Sequence, residues 1–497
     1  MMKKLQELTA LLPEAVVSGD TAINITSIAH DSRQVVPGTL FVCLTGAKVD
    51  GHQFIAQARE RGAAAVLVEK KLDDMVAGLT VITVPDTRSA MQIVTPAFFD
   101  YPAKKMRLIG VTGTNGKTTT THIIRSILSK AGFNVGLIGT IHALIGSQVL
   151  PMKNTTPDVI DLQALLAKMA EAGMDYAVME VSSHAVALNR IAGCEFDVGV
   201  FTNMTRDHLD FHETFENYMD AKAGLFRSLG ADGSVKAGKT AVINMDDKAG
   251  DTMRANSSCP VVSYGLQEDV SLRAVDIDVH ANGVSFVIEG QFGRIPLDLK
   301  ITGIFNVYNV LAAVGAAVAE NVAWPVIKTA LEEFESVPGR FELVRTNLPF
   351  SIIVDYAHTP DGLENILKTA REFAQGRIIV VFGCGGDRDR TKRPIMGQLA
   401  VQYADVAIAT SDNPRTEDPA AILREIEAGM RQGDETDRNY EIILDRRTAI
   451  KRAMEIAGKQ DIVIIAGKGH ETYQILGTET IHFDDREVAR QLAQEVM

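Results

Sequence analysis

Residues 113–119 (GTNGKTT) have the composition of a loop that binds the phosphates of a nucleotide. Glycines let backbone N–H groups close around phosphate oxygens, Lys117 supplies a positive charge, and the Thr118 hydroxyl suits magnesium. Segment 106–111 predicts a buried strand before the loop, and 117–131 predicts a helix after it. This order favours a nucleotide site over an ordinary glycine-rich turn. The spacing departs from the general pattern by one residue, because a glycine stands six positions before the GK pair and not five.

Acidic and histidine side chains follow in two further runs. The apolar strand in YAVMEVSSH ends in Glu180, where a carboxylate often reaches the magnesium ion of a phosphate loop. A later run, FTNMTRDHLDFH, contains His208 and His212 among clustered acids. It fits a metal site and equally fits a polar loop with helix-capping aspartates. Lys222 by itself is typical of an exposed helical lysine.

The last third of the chain contains strand-like segments that are each followed by polar or glycine-rich residues. In a parallel sheet these positions are the carboxyl ends of the strands, where ligands bind. Several such turns at one sheet edge predict a binding face. Arg388 and Arg415 lie in two of these turns, and each guanidinium suits two-point binding of a carboxylate or phosphate. The predicted strands are 351–354, 377–382, 406–410 and 461–466.

The elements that position these residues follow one pattern along the chain. Apolar runs of strand length alternate with amphipathic helical stretches, which predicts an α/β fold with largely parallel sheets. A length of 497 residues is enough for about three domains. Breaks in the pattern predict boundaries that give domains at 1–104, 105–336 and 337–497.

The composition, 46% apolar and 23% charged, is typical of a soluble globular protein. No apolar run reaches the roughly 18–20 residues of a membrane span, and the N-terminal segment predicts an amphipathic helix and not a signal peptide. Four widely spaced cysteines without a CxxC pair favour reduced thiols over disulfides or a zinc site. The net charge of -13 argues against non-specific nucleic-acid binding. We therefore expect a cytoplasmic protein with no membrane span and no nucleic-acid partner.

Taken together, the motifs resemble those of the Mur ligase family, the ATP-dependent amide ligases of peptidoglycan precursor synthesis. The resemblance covers essentially the whole chain. In the first two thirds it depends on GTNGKTTT, EVSSHA, FTNMTRDHLDFH, YMDAK and GIFNVYN, and in the last third on PGRFE, VDYAHTPDGL, FGCGGDRDRTKRP, SDNPRTEDP and GKGHE. It implies an N-terminal α/β domain for the UDP-muramoyl substrate, a central ATP-binding P-loop domain with a parallel sheet, and a C-terminal Rossmann-like α/β domain for the amino acid.

Within the family the sequence most resembles the ligases that extend UDP-N-acetylmuramoyl-L-alanyl-D-glutamate by a third amino acid. The DNPR motif at 412–415 implies that this amino acid is meso-diaminopimelate, joined through an acyl-phosphate intermediate with ATP and Mg2+. We expect a monomer.

Several alternatives compete with this interpretation. They are the same reaction with L-lysine, a P-loop ATPase or kinase, and a catalytically silent scaffold. Two related ligases, a folylpolyglutamate synthetase and a D-alanyl-D-alanine-adding enzyme, are disfavoured by the HDSR segment and the DNPR motif respectively.

The resemblance also implies a role for individual residues. Those that would bind ATP are Gly113, Thr114, Asn115, Gly116, Lys117, Thr118, Thr119, Asn306 and Arg340. Those that would contact the UDP-muramoyl-dipeptide are Ser32, Thr155, Thr156, Ser182 and Arg190. Those that would bind diaminopimelate are Arg388, Asp412, Asn413, Pro414, Arg415, Gly467 and Glu471.

The resemblance implies two magnesium ions. Thr118 and Glu180 would hold one, and His208 with a carbamylated Lys222 would hold the other. The catalytic residues implied in this way are Lys117, Glu180, His208 and Lys222. Leu188 is a departure, because some members have a substrate-contacting glutamine at that place.

Overall fold

The computed structural model describes residues 1–46, 49–70, 72, 78–205, 207–230, 236–280, 282–291, 293–433 and 439–496. Helices and strands alternate throughout these ranges, so the predicted α/β class is confirmed. The chain forms two compact units, Met1–Tyr264 with Ala312–Ala323, and Gly265–Leu311 with Trp324–Met497. The domain boundaries drawn from the sequence stay a prediction. Within the described ranges, no helix has both the length and the apolar character needed to cross a membrane.

The first unit begins with a small sheet and short helices. Its elements are β1 Lys3–Lys4, α1 Leu5–Thr9, β2 Val16–Ser18, β3 Asn24–Ile25, β4 Ser27–Ala29, β5 Thr39–Val42, α2 Ile55–Glu60, β6 Ala65–Val68, β7 Thr80–Thr83 and α3 Thr87–Phe98. The sheet has the order β2-β7-β6-β5-β4, with only β2 antiparallel to its neighbour. The predicted N-terminal helix is short, because residues 16–18 instead satisfy their backbone groups by pairing with β7.

A larger sheet forms the rest of the first unit. Its elements are β8 Arg107–Thr112, α4 Lys117–Lys130, β9 Val135–Ile138, β10 Ala143–Ile145, β11 Gln148–Leu150, α5 Val159–Glu171, β12 Tyr176–Glu180, α6 Ser183–Ala187, β13 Val198–Phe201, α7 Leu209–His212, α8 Phe215–Leu229, β14 Thr240–Asn244, α9 Gly250–Ala255 and β15 Val261–Gly265. The order is β11-β10-β9-β12-β8-β13-β14-β15, parallel from β9 onward. The phosphate-loop strand β8 is therefore central, with β12 and β13 on either side.

The second unit contains three antiparallel strands, a six-stranded sheet and a hairpin. Its elements are β16 Leu272–His280, β17 Gly283–Gly290, β18 Gly293–Leu299, α10 Ile304–Ala319, α11 Trp324–Glu333, β19 Glu342–Leu343, β20 Ser351–Asp355, α12 Pro360–Phe373, β21 Ile378–Phe382, α13 Lys392–Tyr403, β22 Val406–Ala409, α14 Pro419–Gly433, β23 Tyr440–Ile442, α15 Arg446–Ile456, β24 Ile462–Ala466, β25 Tyr473–Leu476, β26 Glu479–His482 and α16 Asp485–Val496. The last eight residues of α10 belong to the first unit.

The six-stranded sheet of the second unit has the order β19-β20-β24-β21-β22-β23. Its strands β20, β24, β21, β22 and β23 run parallel. The four strands predicted in this third are confirmed, each within one residue at either end. They are buried along nearly their whole length, which explains why continuous apolar runs identified them. Because they are parallel, the turns after them lie at one edge of the sheet.

Candidate functional site

The loop between β8 and α4 has the geometry of a phosphate-binding turn. Gly113 and Gly116 adopt φ values of 152° and 83°, which favour glycine. A Cβ atom at Gly113 would also collide with the Thr202 hydroxyl, so only glycine fits there. Helix α4 begins at Lys117, as predicted, and its first N–H groups point toward the loop. The end of a helix and a close backbone turn together form a ready site for an anion.

Residues after β13 hold this loop in place. The Asn203 carbonyl accepts a hydrogen bond from the Thr114 N–H at 2.9 Å, and the Asn203 side chain accepts one from the Asn115 N–H, also at 2.9 Å. The Thr202 hydroxyl donates to the Asn115 carbonyl at 2.7 Å. The FTNM segment therefore fixes the shape of the loop. Arg206, in the same run, lies outside the described residues.

Two lysines donate to carbonyls of the loop. Lys117 Nζ lies 2.9 Å from the Gly113 oxygen and 2.7 Å from the Thr114 oxygen. Lys222 Nζ, from α8, lies 2.8 Å from the same Gly113 oxygen. Lys222 is only 1% exposed, so the interpretation of it as an exposed helical lysine is wrong. Burial, with help from the charge of Lys117, lowers the pKa of Lys222 well below its usual value.

Tyr218, one turn before Lys222 on α8, contacts both Lys222 and the phosphate loop. Lys222 Nζ lies 4.4 Å from the centre of the Tyr218 ring, and the Tyr218 hydroxyl lies 3.0 Å from Thr114 Oγ1. Burial raises the pKa of Tyr218 to about 12. The His208 ring centre lies 6.1 Å from that of Tyr218, and His208 Nε2 lies 3.4 Å from Asp207 Oδ2. The structure thus brings His208 and Lys222 near the same aromatic ring.

Glu180 is buried at the end of β12, with 1% exposure. It pairs in register with Val111 of the phosphate-loop strand, which places it beside that loop. One carboxylate oxygen accepts the Thr140 N–H at 2.8 Å, and the other accepts the Thr140 hydroxyl at 3.0 Å. Glu180 is therefore an oriented carboxylate and not a solvated one.

A connected group of polar residues follows Glu180. Thr156 donates its hydroxyl to the Glu180 carbonyl at 2.8 Å, and accepts the Ser182 N–H at 3.0 Å. Arg190 Nη1 lies 3.4 Å from the Thr156 carbonyl. Arg190 Nε is buried and makes no hydrogen bond with the described residues. The Thr155 hydroxyl lies 3.0 Å from that of Thr140.

Ser32, in contrast, lies in the small N-terminal sheet region, where its hydroxyl donates to Gln57 at 2.6 Å. None of the described contacts joins Ser32 to the Thr156 group. Leu188 accepts a hydrogen bond from Gln92 through its carbonyl at 3.1 Å, so its backbone is held by the N-terminal region.

The donors beside the phosphate loop fit magnesium, which prefers oxygen ligands. The Thr118 hydroxyl in the first turn of α4 and the Glu180 carboxylate beside β8 are both hard oxygen donors. No group of three or more His, Cys, Asp or Glu residues in the described ranges is arranged to hold a metal ion unaided. A site that includes substrate phosphates is the usual arrangement for magnesium.

In the second unit, the turns after β22 and β24 meet. Gly467 has a φ of 115°, and a Cβ there would lie 2.7 Å from Asp412 Oδ2. Asn413 Nδ2 donates to Glu471 Oε2 at 2.8 Å. Asp412 and Asn413 are buried. The predicted binding face therefore joins the DNPR and GKGHE motifs through direct contacts.

Arg388 and Arg415 border this face. A Cβ at Gly385 would lie 2.9 Å from Arg415 Nη1 and 3.9 Å from Arg388 Cγ, so both side chains adjoin one glycine. Arg415 donates to the Gly386 carbonyl at 2.8 Å, and Arg388 donates to the Asp387 carbonyl at 2.9 Å. Neither guanidinium forms an ion pair with a described carboxylate, which leaves both charges for a ligand.

Asn306 and Arg340 also belong to the second unit. Asn306 is buried and donates to the Thr302 carbonyl at 2.8 Å, while Asn309 donates to Asn306 Oδ1 at 3.0 Å. Arg340 stacks over the Tyr356 ring at 4.8 Å. Its Nε is buried and has no hydrogen-bond partner among the residues that the structure describes.

The structure adds residues that the sequence interpretation did not single out. Thr140 binds both oxygens of Glu180, and Asn203 holds the loop backbone. Lys468 is completely buried beside Glu471. Asn203 and Lys468 lie inside motifs already noted, which was the available signal. Thr140 follows a glycine after a short apolar strand and carries no comparable signal.

Three parts of the chain match known domains. Residues 111–317 match the Mur ligase middle domain, residues 339–469 match the glutamate ligase domain of Mur ligases, and residues 24–98 match the catalytic domain of the Mur ligase family.

Individual proteins are similar over the full length. The UDP-N-acetylmuramoyl-L-alanyl-D-glutamate--2,6-diaminopimelate ligase of Geobacillus thermodenitrificans is 48% identical over 492 residues, which cover 99% of this chain and 99% of that protein. The protein of the same name from Bacillus velezensis is 48% identical over 488 residues, 98% of each chain. A solved structure of a ligase with this name is 35% identical, covers 100% of this chain and 99% of its own, and gives a TM-score of 0.72.

Proposed function

Because the chain belongs to the Mur ligase family, we propose that it joins meso-diaminopimelate to the D-glutamyl carboxylate of UDP-N-acetylmuramoyl-L-alanyl-D-glutamate at the expense of ATP. The observation that carries this proposal is 48% identity, over 99% of both chains, to a ligase named for this reaction. The contacts described above supply a physical rationale for each half of the chemistry.

The phosphate loop is the proposed site of ATP. A carboxylate is a poor acyl donor, so the γ-phosphoryl group of ATP first converts the D-glutamyl carboxylate to an acyl phosphate. Lys117 and the first N–H groups of α4 stabilise the negative charge of that phosphoryl group. The loop residues proposed to contact ATP are Gly113, Thr114, Asn115, Gly116, Lys117, Thr118 and Thr119. The family resemblance adds Asn306 and Arg340 to the residues proposed for the nucleotide.

Thr118 and Glu180 are proposed to hold a magnesium ion, and His208 and Lys222 a second. Bound magnesium would offset the charge that collects on the transferring phosphoryl group. Lys222 suits this role only as a carbamate, which turns the buried ammonium into an anion. Its burial without an ion pair to a described carboxylate supports that modification, because burial lowers the pKa of the amine and the neutral amine is the form that reacts with CO2.

The polar group around Thr156 is proposed to bind the UDP-muramoyl-dipeptide, together with Ser32 from the N-terminal sheet. Arg190 has a buried Nε without a partner in the described ranges, so an anionic substrate group would satisfy it. Thr155 is linked to the Glu180 carboxylate through the Thr140 hydroxyl, while Thr156 bonds the Glu180 backbone carbonyl and the Ser182 hydroxyl.

The face formed by the DNPR and GKGHE turns is proposed to bind diaminopimelate. Its amine attacks the acyl phosphate, and the tetrahedral intermediate collapses to the amide and phosphate. Holding both reactants in line can supply roughly 7–11 kcal/mol. Arg415 and Arg388 suit the carboxylate at the far end of diaminopimelate, which L-lysine lacks. That pair of unpaired guanidinium groups favours diaminopimelate over lysine.

A phosphate-release assay tests the proposal. Wild-type protein receives ATP, Mg2+ and the UDP-muramoyl-dipeptide, with meso-diaminopimelate, with L-lysine, or with neither. Release that requires diaminopimelate is expected. Release that ignores the amino acid would favour an ATPase, and release with lysine alone would overturn the choice of amino acid. Product mass, measured in parallel, distinguishes amide formation from phosphorylation of a hydroxyl.

A further inference from the structure

Lys468, in the turn after β24, is a fully buried lysine with 0% exposure. Its Nζ lies 3.2 Å from Glu471 Oε2 and 3.4 Å from Asn413 Oδ1. Removing an ammonium group from water is costly, and a buried ion pair seldom adds net stability over an apolar replacement. A buried lysine in such a pair therefore calls for a reason beyond folding.

The contacts around Lys468 orient two neighbours at once. Asn413 Oδ1 accepts the Ile475 N–H at 3.0 Å and faces Lys468, so Asn413 Nδ2 is turned toward Glu471. Both hydrogen bonds to Glu471 then fall on a single oxygen, Oε2. Glu471 Oε1 accepts no hydrogen bond from the described residues, and the Glu471 side chain keeps 15% exposure.

We propose that Lys468 is a positioning residue for the amino-acid site, which holds Glu471 and Asn413 so that Glu471 Oε1 remains open to an ammonium group of the incoming diamino acid. This inference rests on the proposed function, because it takes that diamino acid as the ligand. Lys468 touches no substrate itself and acts through Glu471.

An apolar or neutral residue at position 468 would not hold Glu471 and Asn413 in the same way. Lys468 places an ammonium group 3.2 Å from the largely buried Glu471 carboxylate, and an apolar or neutral side chain would not supply that electrostatic attraction. Together with the Ile475 N–H, Lys468 also favours the observed orientation of the Asn413 amide, because only the oxygen of that amide can face an ammonium group. Loss of Lys468 would remove one of the two hydrogen bonds that hold Glu471 Oε2 and one of the two that hold Asn413 Oδ1.

The test compares Lys468→Met with wild-type protein in the complete reaction. We expect the KM for diaminopimelate to rise about 10- to 100-fold, as loss of a hydrogen bond to a charged group would give. The KM values for ATP and for the UDP-muramoyl-dipeptide should stay within about twofold. Lys468→Gln, which keeps a donor without the charge, serves if the Met variant does not fold and should show a smaller rise.

A double-mutant cycle with Glu471→Gln separates positioning from general damage. If Lys468 acts through Glu471, Lys468→Met should add little in the Glu471→Gln background. Lys239→Met is the matched control, because Lys239 is also buried and ion-paired, to Glu195 at 3.7 Å, yet contacts no proposed ligand residue. It should leave the KM for diaminopimelate unchanged.

Additive effects in the cycle, an equal rise in all three KM values, or an unchanged KM for diaminopimelate would each overturn the inference. The proposed function is tested separately, by measuring amide formation with the wild-type protein. If wild-type protein forms no amide with diaminopimelate, the proposed function fails and the inference falls with it.

Discussion

Buried cations have different partners in the two regions that carry the proposed chemistry. Beside the phosphate loop, Lys222 contacts a backbone carbonyl and an aromatic ring, and no described carboxylate forms an ion pair with it. In the second unit, Arg393, Arg446 and Lys468 are each 0–1% exposed and each forms an ion pair.

This difference distinguishes buried cations that hold the fold together from those that are candidates for binding or chemistry. Arg446 donates to both oxygens of Asp485 at 2.8 and 2.7 Å and to the Ala466 carbonyl at 3.0 Å, so it ties α16 to the end of β24. Such a pair holds turns in place. Lys222 forms no such ion pair with a described carboxylate, and burial lowers the pKa of its amine. Cations without acidic partners, as at Arg388 and Arg415, therefore indicate ligand positions better than paired ones do.

The largest effect is expected where a buried pair is broken. Asp485→Ala leaves Arg446 charged and unpaired, and should lower local stability by about 3–5 kcal/mol. Hydrogen exchange of the β24 amides measures this without assuming that both units unfold together. The exposed pair of Asp31 with Arg33 is the control, and Asp31→Ala should cost about 1 kcal/mol or less. Equal losses of stability in Asp485→Ala and Asp31→Ala would contradict the structural importance assigned to the buried pair.

Lys222→Met should reduce activity strongly without reducing stability, whereas Asp485→Ala is expected to reduce stability. Loss of the proposed metal ligand should reduce kcat by about 10²–10³-fold, as removal of one preorganised electrostatic group does. Stability should be unchanged or higher, because a methionine replaces an uncompensated amine. Phosphate release and urea unfolding measure the two quantities. Partial recovery of a Lys222→Ala variant by a short carboxylic acid would support an anionic role, and retained activity with lost stability would refute it.

Arg415→Ala tests the unpaired cations of the second unit. The KM for diaminopimelate should rise about 10- to 100-fold, since a hydrogen bond between charged groups is lost. The KM for ATP should change little. The matched control is Arg424→Ala, which removes an exposed arginine that pairs with Asp418. Unchanged diaminopimelate kinetics in Arg415→Ala would remove Arg415 from the site.

The smallest effect is a pH dependence. Because the pKa of Lys222 is lowered on folding, the folded protein binds fewer protons than the unfolded chain between that lowered pKa and the usual value near 10.5. Stability should therefore rise with pH in this window, by at most about 1.4 kcal/mol per pH unit. Urea unfolding of wild type and Lys222→Met in CO2-free buffer measures the difference, which should shrink as pH rises. A pH-independent difference would contradict the lowered pKa.

Much of the fold was predictable because the parallel strands at the centre of its larger sheets are buried on both faces. Continuous apolar runs identified β8, β20, β21, β22 and β24, and glycines at 113 and 116 identified the loop. The short α1 was the exception, since pairing with β7 overrode the helical pattern of the N-terminal segment. Pairing of that kind depends on residues more than sixty positions away, and local periodicity does not contain it.

The sequence identified many of the candidate site residues, but it did not show which groups their side chains contact. The sequence placed Glu180 at the end of a strand and, without the family resemblance, made Lys222 an ordinary exposed lysine. Their burial depends on β12 lying beside β8 and on α8 packing over the loop. Asn203 lay inside a motif but had no role assigned to it, and Thr140 had no signal at all, because residue type does not show which distant group a side chain will bind.

By itself, the sequence determined the phosphate loop from 113 to 119, the strands that end in polar turns, and the family to which their motifs point. Residue type and spacing suffice there, because a tight anion-binding turn tolerates few side chains and a buried strand must be apolar. Only the tertiary structure decided that Lys222 is buried without an ion pair to a described carboxylate while Lys468 is buried with one. Desolvation and pairing depend on what packs against a side chain, and segments far apart in the chain supply those neighbours.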